Sequence, residues 1–223
     1  MRSFNCLTTG ALLLGALIAP FALFAQKPVE NPGLPARTTP ADYQAKGQVG
    51  KVTIAAEFTA HSIPTAQGPL TAEDYVVVET AFFGAADARL VLSSEDFTLR
   101  INGNKKQLPS QPFGIVSMAV KDPEYVPEVP VSAGPKSKGG ISGGGGGQGQ
   151  GQGEPPPSPP PIPIEVRRAM AQRVMKSALP EGDRALPQAG LLFFQYRGKA
   201  EGIHSVELIY AGPAGKATIV LQR

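Results

Sequence analysis

Few residues in this chain carry reactive groups at a spacing that catalysis requires, and the best matches lie in a run of glycines. The stretch Gly140-Ile141-Ser142-Gly143-Gly144 reads as G-x-S-x-G, the pattern of a hydrolase nucleophile. That pattern works where a strained strand-to-helix turn exposes the serine, whereas Ser142 lies in glycine-rich sequence. The G-x-G-x-x-G of Gly144, Gly146 and Gly149 likewise lacks the strand and helix that bind a dinucleotide. We interpret both matches as accidental.

Side chains that bind metals are also sparse. His61 and His204 are the only histidines, and they lack the short spacing that brings two imidazoles to one metal. We expect both to be surface or loop residues. Met118, Met170 and Met175 could bind copper through sulfur, but Met170 and Met175 lie five apart and share no helix face, so we expect them to fill the core. The sequence predicts no metal and no cofactor.

Three pairs of carboxylates could supply an acid and a base. They are Glu73 with Asp74, Glu95 with Asp96, and Asp122 with Glu124. A glycosidase needs two carboxylates at a fixed separation, and no spacing here specifies one. Each pair falls at a strand edge or turn, where charge is expected to face water. We therefore predict that the protein has no catalytic residues and is not an enzyme, with an unrecognised hydrolase as the alternative.

A basic helix is the most distinctive candidate interaction surface. Residues 164–179 are predicted to form a helix, with Glu165 in its first turn and basic residues along the rest. Its basic side chains are Arg167, Arg168, Arg173 and Lys176. Its apolar side is narrow and consists of Val166, Met170 and Val174. We predict that this helix docks on a sheet with its charges in water. Contact with another envelope protein or with an anionic membrane surface through residues 165–179 is the alternative.

The N-terminus has the pattern of a secretory signal, because Arg2 precedes an apolar run at residues 11–25. That run is shorter than the roughly 20 residues of a membrane-spanning helix. We predict cleavage near Ala25 and export to the periplasm or the exterior. Cys6 is the only cysteine and precedes the run, so the mature chain is predicted to hold no disulfide. The small net charge of +3 predicts no nucleic-acid partner.

Strand patterns fill most of the remaining chain. A half-buried strand is predicted at residues 52–58, because apolar side chains fall at every second position: Val52, Ile54, Ala56 and Phe58. In residues 75–83, β-branched and aromatic residues occupy both odd-numbered and even-numbered positions, as in a central strand covered on two faces. Further strands are predicted at residues 89–92, 97–101, 191–196, 206–210 and 217–221, and residues 113–120 are predicted as a strand or a short packed segment.

A turn is predicted at Asn102-Gly103, because both central residues of a type I′ turn need positive φ. In that hairpin Arg100 and Ile101 would pair with Asn104 and Lys105, and the second strand would continue to Leu108.

The chain divides by composition into five predicted parts. They are a signal peptide (1–25), an extended tether (26–45), the first part of a β-sandwich (46–132), a disordered Gly/Gln/Pro-rich insertion (133–163), and a helix with closing strands of the same sandwich (164–223). The last part is too small for a core of its own without metals or disulfides. Closing a flexible loop costs only about 0.6 kcal/mol for each doubling of its length, so we predict one domain around the insertion.

Two groups of strand sequences resemble the exported bacterial immunoglobulin-like (telokin-like) domains of unknown function. They are residues 74–79 (DYVVVE) leading to 94–99 (SEDFTL), and residues 190–194 (GLLFF) leading to 206–210 (VELIY). The resemblance covers residues 49–110 and 186–222. It implies an all-β, immunoglobulin-like sandwich of about 7–8 strands, here with one added helix and a long Gly/Pro-rich loop. It implies no catalytic residue, and we predict an exported binding or structural protein.

Overall fold

The computed structural model describes residues 31–126 and 162–222, which form a mostly β protein. Its strands are β1 (Ala45–Val49), β2 (Val52–Ala60), β3 (Ser62–Ile63), β4 (Leu70–Thr71), β5 (Tyr75–Phe83), β6 (Arg89–Leu92), β7 (Phe97–Ile101), β8 (Leu108–Pro109), β9 (Gly182–Ala185), β10 (Gln188–Gln195), β11 (Ser205–Gly212) and β12 (Gly215–Gln222). Its α-helices are α1 (Phe113–Val116) and α2 (Ile164–Ser177). The predicted signal peptide, the start of the predicted tether and most of the predicted insertion lie outside the described residues.

Two four-stranded antiparallel sheets form the centre of the fold. The first sheet has the order β1-β2-β5-β10 and the second has the order β12-β11-β7-β8. Side chains from both sheets meet in one apolar core, an arrangement compatible with a β-sandwich, and the predicted all-β class is confirmed. Pairing of β10 with β5, and of β11 with β7, joins strands from either side of residues 127–161.

Strand β5 is buried on both of its faces, which confirms the prediction for residues 75–83. Val76, Val78 and Phe82 point into the core between the two sheets. Tyr75 and Val77 face the other side of the first sheet, because side chains alternate along a strand. The second sheet therefore covers one face of β5, and the outer face needs a separate cover.

Three aromatic side chains contact one another in the core between the sheets. The ring centroids of Phe82 and Phe97 lie 5.9 Å apart, those of Phe82 and Tyr210 lie 6.1 Å apart, and those of Phe97 and Tyr210 lie 5.0 Å apart. Tilted and edge-to-face pairs of this kind contribute about 0.5–1.5 kcal/mol each beyond the burial of their area. They join β5 of the first sheet to β7 and β11 of the second.

Helix α2 covers the outer face of the first sheet, in agreement with the prediction that its apolar side docks on a sheet. Met170 and Val174 are buried there against side chains of β5 and β10. The helix ends at Ser177, two residues before the predicted end. The reason is that the chain becomes extended and the Leu179 N–H donates to the Leu191 carbonyl of β10 at 3.0 Å.

Residues 31–43 also lie on the outer face of the first sheet, and we call them the N-terminal strap. The Asn31 side-chain amide donates to the Ala178 carbonyl at 3.0 Å, and the Leu34 N–H donates to the Ala189 carbonyl at 3.0 Å. The predicted extended tether through residue 45 is therefore wrong from Asn31 onward. These contacts are made by backbone and side-chain amides. They therefore leave no pattern of alternating apolar residues from which the sequence could predict them.

Arg37 fixes the N-terminal strap to the first sheet. Its guanidinium lies 2.9 Å from the largely buried Glu79 carboxylate of β5 and also pairs with Glu57 of β2. The same group lies over the Tyr43 ring, 4.5 Å from the ring centroid. Burial on its own lowers the pKa of Arg37, but hydrogen bonds and attraction to both carboxylates outweigh burial and raise the pKa. The buried Glu79 charge is thus compensated by the strap.

The Asn102-Gly103 turn forms, but the predicted strand pairing beyond it is wrong. The two central residues have φ angles of 51° and 64°, as a type I′ turn requires. Pairing with β7 is delayed until β8, so residues 104–107 do not form the predicted strand. The Asn104 side-chain carbonyl accepts a hydrogen bond from the Lys106 N–H at 3.2 Å. This local turn leads the chain away from the β7 edge.

Residues 113–120 contain the one-turn helix α1 rather than a strand. Val116 and Val120 are buried against the outer face of the first sheet. Met118 lies between them in sequence and is 81% exposed, so the expectation that it fills the core is wrong. Of the other two methionines, Met170 is buried and Met175 is half-buried.

Candidate functional site

A groove opens on the outer side of the first sheet, between the α1 segment and the first half of α2. We call it the α1–α2 groove, and its cavity volume is about 470 Å³. Met118 and Val120 line it from the α1 segment, and Ile164, Arg167, Arg168 and Met170 line it from α2. The groove is thus bounded by apolar side chains and by two cations.

The groove has a buried apolar floor and exposed apolar edges. Val120 and Met170 form part of the floor and belong to the core that covers the outer face of the first sheet. Met118 is 81% exposed and Ile164 is 48% exposed. Large apolar side chains that remain in water beside a concave surface are typical of a binding site. The floor is therefore continuous with the folded core.

Arg167 and Arg168 supply the charge of the groove. Both side chains are exposed, and within residues 31–126 and 162–222 neither guanidinium has a hydrogen-bond or ion-pair partner. The only carboxylate of α2 is that of Glu165, which does not line the groove. A guanidinium presents a planar fork of donors that matches a carboxylate or phosphate. The groove can therefore receive a negatively charged group beside an apolar one.

Arg173 does not belong to this surface, although the sequence grouped it with the other basic residues of α2. Its side chain is only 15% exposed, and its Nη1 lies 2.6 Å from the Asp122 carboxylate. Its other nitrogens donate to the Thr65 hydroxyl at 3.2 Å and to the Gly68 carbonyl at 2.9 Å. Arg173 therefore fixes the loop between β3 and β4 against α2. The partners come from distant sequence, which is why the helix pattern did not reveal them.

Lys176 is exposed in the last turn of α2, away from the residues that line the groove. A membrane-facing helix would present Arg167 and Arg173 together beside an exposed Met170. In the structure Met170 is 3% exposed and Arg173 is engaged internally. Of the four predicted basic residues, only Arg167 and Arg168 are brought together at one site.

His61 is held by backbone carbonyls between β2 and β3. Its Nδ1 lies 2.7 Å from the Tyr75 carbonyl and its Nε2 lies 3.1 Å from the Gly198 carbonyl. The ring also stacks on Tyr196, with centroids 6.4 Å apart. The half-buried His61 is thus a structural connection between β5 and the end of β10, whereas His204 is exposed. These carbonyl partners are not predictable from the sequence pattern around His61.

The predicted carboxylate pairs are engaged in separate contacts. Glu73 lies 2.8 Å from the Lys121 amine, and Asp122 is paired with Arg173. Asp96 is half-buried, and burial, followed by repulsion from Glu95, raises its pKa. Within the part of the chain that the structure describes, no group of three or more His, Cys, Asp and Glu side chains is arranged to hold a metal ion.

Comparison with known proteins identifies no relative: no family model, curated protein or solved structure matches the chain. Neither α1 nor α2 is long and apolar enough to cross a membrane. The candidate site therefore stands on its own geometry.

The apolar edges of the groove, Met118 and Ile164, were not predicted from the sequence. Ile164 begins α2 but lies off the stripe of Val166, Met170 and Val174 that packs on the sheet, and an apolar residue outside a buried stripe is a detectable signal. Met118 carries no such signal, because its exposure follows from the one-turn geometry of α1.

Proposed function

We propose that this chain is an exported, non-enzymatic binding protein of the bacterial envelope or exterior, which uses the α1–α2 groove to bind another envelope protein. The observation that carries the proposal is the concave apolar floor flanked by exposed Met118 and Ile164. Exposed apolar side chains around a groove cost free energy in water, and a partner that covers them regains about 25 cal/mol for each Å² buried.

The proposed fold type is an immunoglobulin-like sandwich of the telokin-like kind. The order of strands supports it: a long central strand (β5), the strand that begins with Phe-Thr-Leu (β7), the glycine-containing aromatic strand (β10) and the Leu-x-Tyr strand (β11). Domains of this architecture commonly present surfaces to partners, and the fold alone names no activity. The site, rather than the fold, therefore supplies the argument for binding.

Export is proposed from the N-terminal sequence alone. The charged start, the apolar run at residues 11–25 and the small residue at Ala25 support cleavage by a signal peptidase. N-terminal sequencing of the protein recovered from a periplasmic or culture-supernatant fraction tests this. A mature N-terminus near Gln26 is expected, and retention of residues 1–25 on an intracellular product contradicts export.

The binding function is tested by capture from the native envelope fraction with matched variants. The groove variant carries Met118→Asp and Ile164→Asp, and the control variant carries Val91→Asp and Val220→Asp, which are similarly exposed apolar residues on strands. We expect the wild type and the control to capture the same protein and the groove variant to lose it. Equal capture by all three proteins, each with an unchanged melting temperature, contradicts binding through the groove.

A second candidate is association with an anionic membrane surface. The observation that favours it is the position of Arg167 and Arg168 beside exposed Met118 and Ile164. Flotation of the mature protein with vesicles that contain anionic lipid tests it. Flotation that disappears when Arg167 and Arg168 are changed to Gln supports the membrane function, and an unbound protein contradicts it.

A further inference from the structure

We infer that the occupant of the α1–α2 groove is an acidic amphipathic segment of the partner protein. A large apolar side chain of that segment enters the cavity, and neighbouring carboxylates pair with Arg167 and Arg168. The inference rests on the proposed binding function and adds the chemistry of the partner to it. It makes the two arginines the residues that determine specificity.

The lining of the cavity favours an apolar anchor. Apart from the two arginines, Ser117 is the polar side chain of the lining, and its hydroxyl already donates to the Gly114 carbonyl at 3.0 Å. A polar group that enters the apolar part of the cavity, away from the two arginines, would lose its hydrogen bonds to water and find no free donor in the lining. A volume of about 470 Å³ is large enough for a bulky side chain such as Leu or Phe.

The charge of the groove favours carboxylates next to that anchor. Arg167 and Arg168 are adjacent and without partners among the described residues, so their donors remain available. Carboxylates on the incoming segment would form charge-assisted hydrogen bonds with these donors. A basic segment would meet like charge at the same place, which opposes its binding.

Three other occupants fit less well. A second copy related by a two-fold axis would bring two sets of Arg167 and Arg168 into one interface, where like charges repel. The sequence between residues 126 and 162 has balanced charge, with Glu128 and Glu154 against Lys136 and Lys138, so it supplies no acidic excess. A membrane surface offers the anions but is flat, whereas the groove is concave and takes a projecting side chain.

Selection from a random twelve-residue peptide library tests this partner chemistry. The mature full-length protein is the target, and the Met118→Asp, Ile164→Asp variant removes peptides that bind elsewhere. We expect the recovered peptides to share one large apolar residue flanked by Asp or Glu. The variant with Arg167→Glu and Arg168→Glu should instead select Lys and Arg flanks. A control with Lys105→Glu and Lys216→Glu, two exposed lysines outside the groove lining, should select as the wild type does.

Binding of a selected peptide supplies the quantitative readout. Replacing both arginines with Gln should weaken binding about tenfold, because each exposed ion pair contributes only modestly to affinity. Raising the salt concentration should weaken wild-type binding and leave the Gln variant almost unchanged.

The outcomes separate the inference from the proposed function. Groove-dependent peptides without acidic residues, or unchanged selection by the Glu variant, overturn the inference while the binding function stands. Arginine-dependent flotation with anionic vesicles, together with no acidic enrichment, overturns it in favour of a membrane. Equal capture from the envelope fraction by the wild type and by the Met118→Asp, Ile164→Asp variant overturns the proposed function itself.

Discussion

Substitution of Arg37 by Met should destabilise the fold more than the loss of any exposed ion pair would. This is expected although residue 37 lies in a stretch that the sequence predicts to be a tether. The Glu79 carboxylate is about 10% exposed, and the Arg37 guanidinium is 2.9 Å away. Losing a hydrogen bond to a charged group costs about 1.5–3 kcal/mol. The exposed pair with Glu57 adds up to about 1 kcal/mol, and the contact with the Tyr43 ring adds about 0.5–1 kcal/mol.

These contributions together indicate a loss of about 2–5 kcal/mol in the free energy of unfolding. For a chain of this size, a loss of 1 kcal/mol lowers the melting temperature by about 2–4 °C, so a central loss of about 3 kcal/mol lowers it by about 6–12 °C. Urea unfolding followed by far-ultraviolet circular dichroism measures the free energy, and a thermal scan measures the temperature. The Arg37→Met variant should remain folded at 25 °C.

Two matched variants make the reasoning refutable. Arg89→Met removes a pair with Asp183 in which both side chains are more than half exposed, so it should cost at most about 1 kcal/mol. Adding Glu79→Gln to Arg37→Met should recover stability, because the uncompensated buried charge disappears. If Arg37→Met costs no more than Arg89→Met, or if the double variant is less stable than Arg37→Met alone, the strap does not compensate Glu79.

Three further predictions concern single residues of the fold. Gly190→Ala should destabilise by about 1–3 kcal/mol in urea unfolding, because an added Cβ would overlap the Leu179 backbone, whereas Gly202→Ala meets open space and should cost less. His61→Ala should destabilise by about 1–3 kcal/mol through its unpaired carbonyl partners, and equal stability of the variant would contradict the proposed connection. Burial raises the pKa of Asp96 in the folded state above the ordinary carboxyl value of 3.8, so the wild type loses stability as pH rises through that raised pKa. The Asp96→Asn variant cannot ionise there, so its stability in urea unfolding should gain on that of the wild type as pH rises from below 3.8 to neutral, and a constant difference would refute this.

The parts of the fold that the sequence predicts are those with strong local signals. The double-sided apolar pattern of residues 75–83 and the alternation at residues 206–210 correspond to β5 and β11, because burial on one or both faces imposes those patterns. The Asn102-Gly103 turn is likewise local, since positive φ restricts the residue types. Strand β9 was missed because it is short and polar and pairs only with β6.

The candidate site was only half predictable, for a different reason. The basic residues of α2 are visible in the sequence. Which of them is engaged inside the fold and which faces the groove depends on partners that are distant in sequence. Arg173 is engaged because Asp122 and the Gly68 carbonyl reach it across the fold, whereas Arg167 and Arg168 meet no such group among the described residues. The groove also needs the α1 segment, whose turn places Met118 outward. No local pattern encodes a surface made by two segments about 50 residues apart in this way.

The pairing of early strands with late ones has a consequence for synthesis and for the proposed export. A nascent chain that has not yet extended past residue 188 leaves one edge of β5 open, and β7 lacks β11 until residue 205 has emerged. Neither sheet can close on a growing polypeptide until β10 and β11 have been made, so cooperative folding waits for residues 188–212. If the proposed export takes place, this topology would keep the chain unfolded enough to pass through a narrow translocation channel until its last strands have been made.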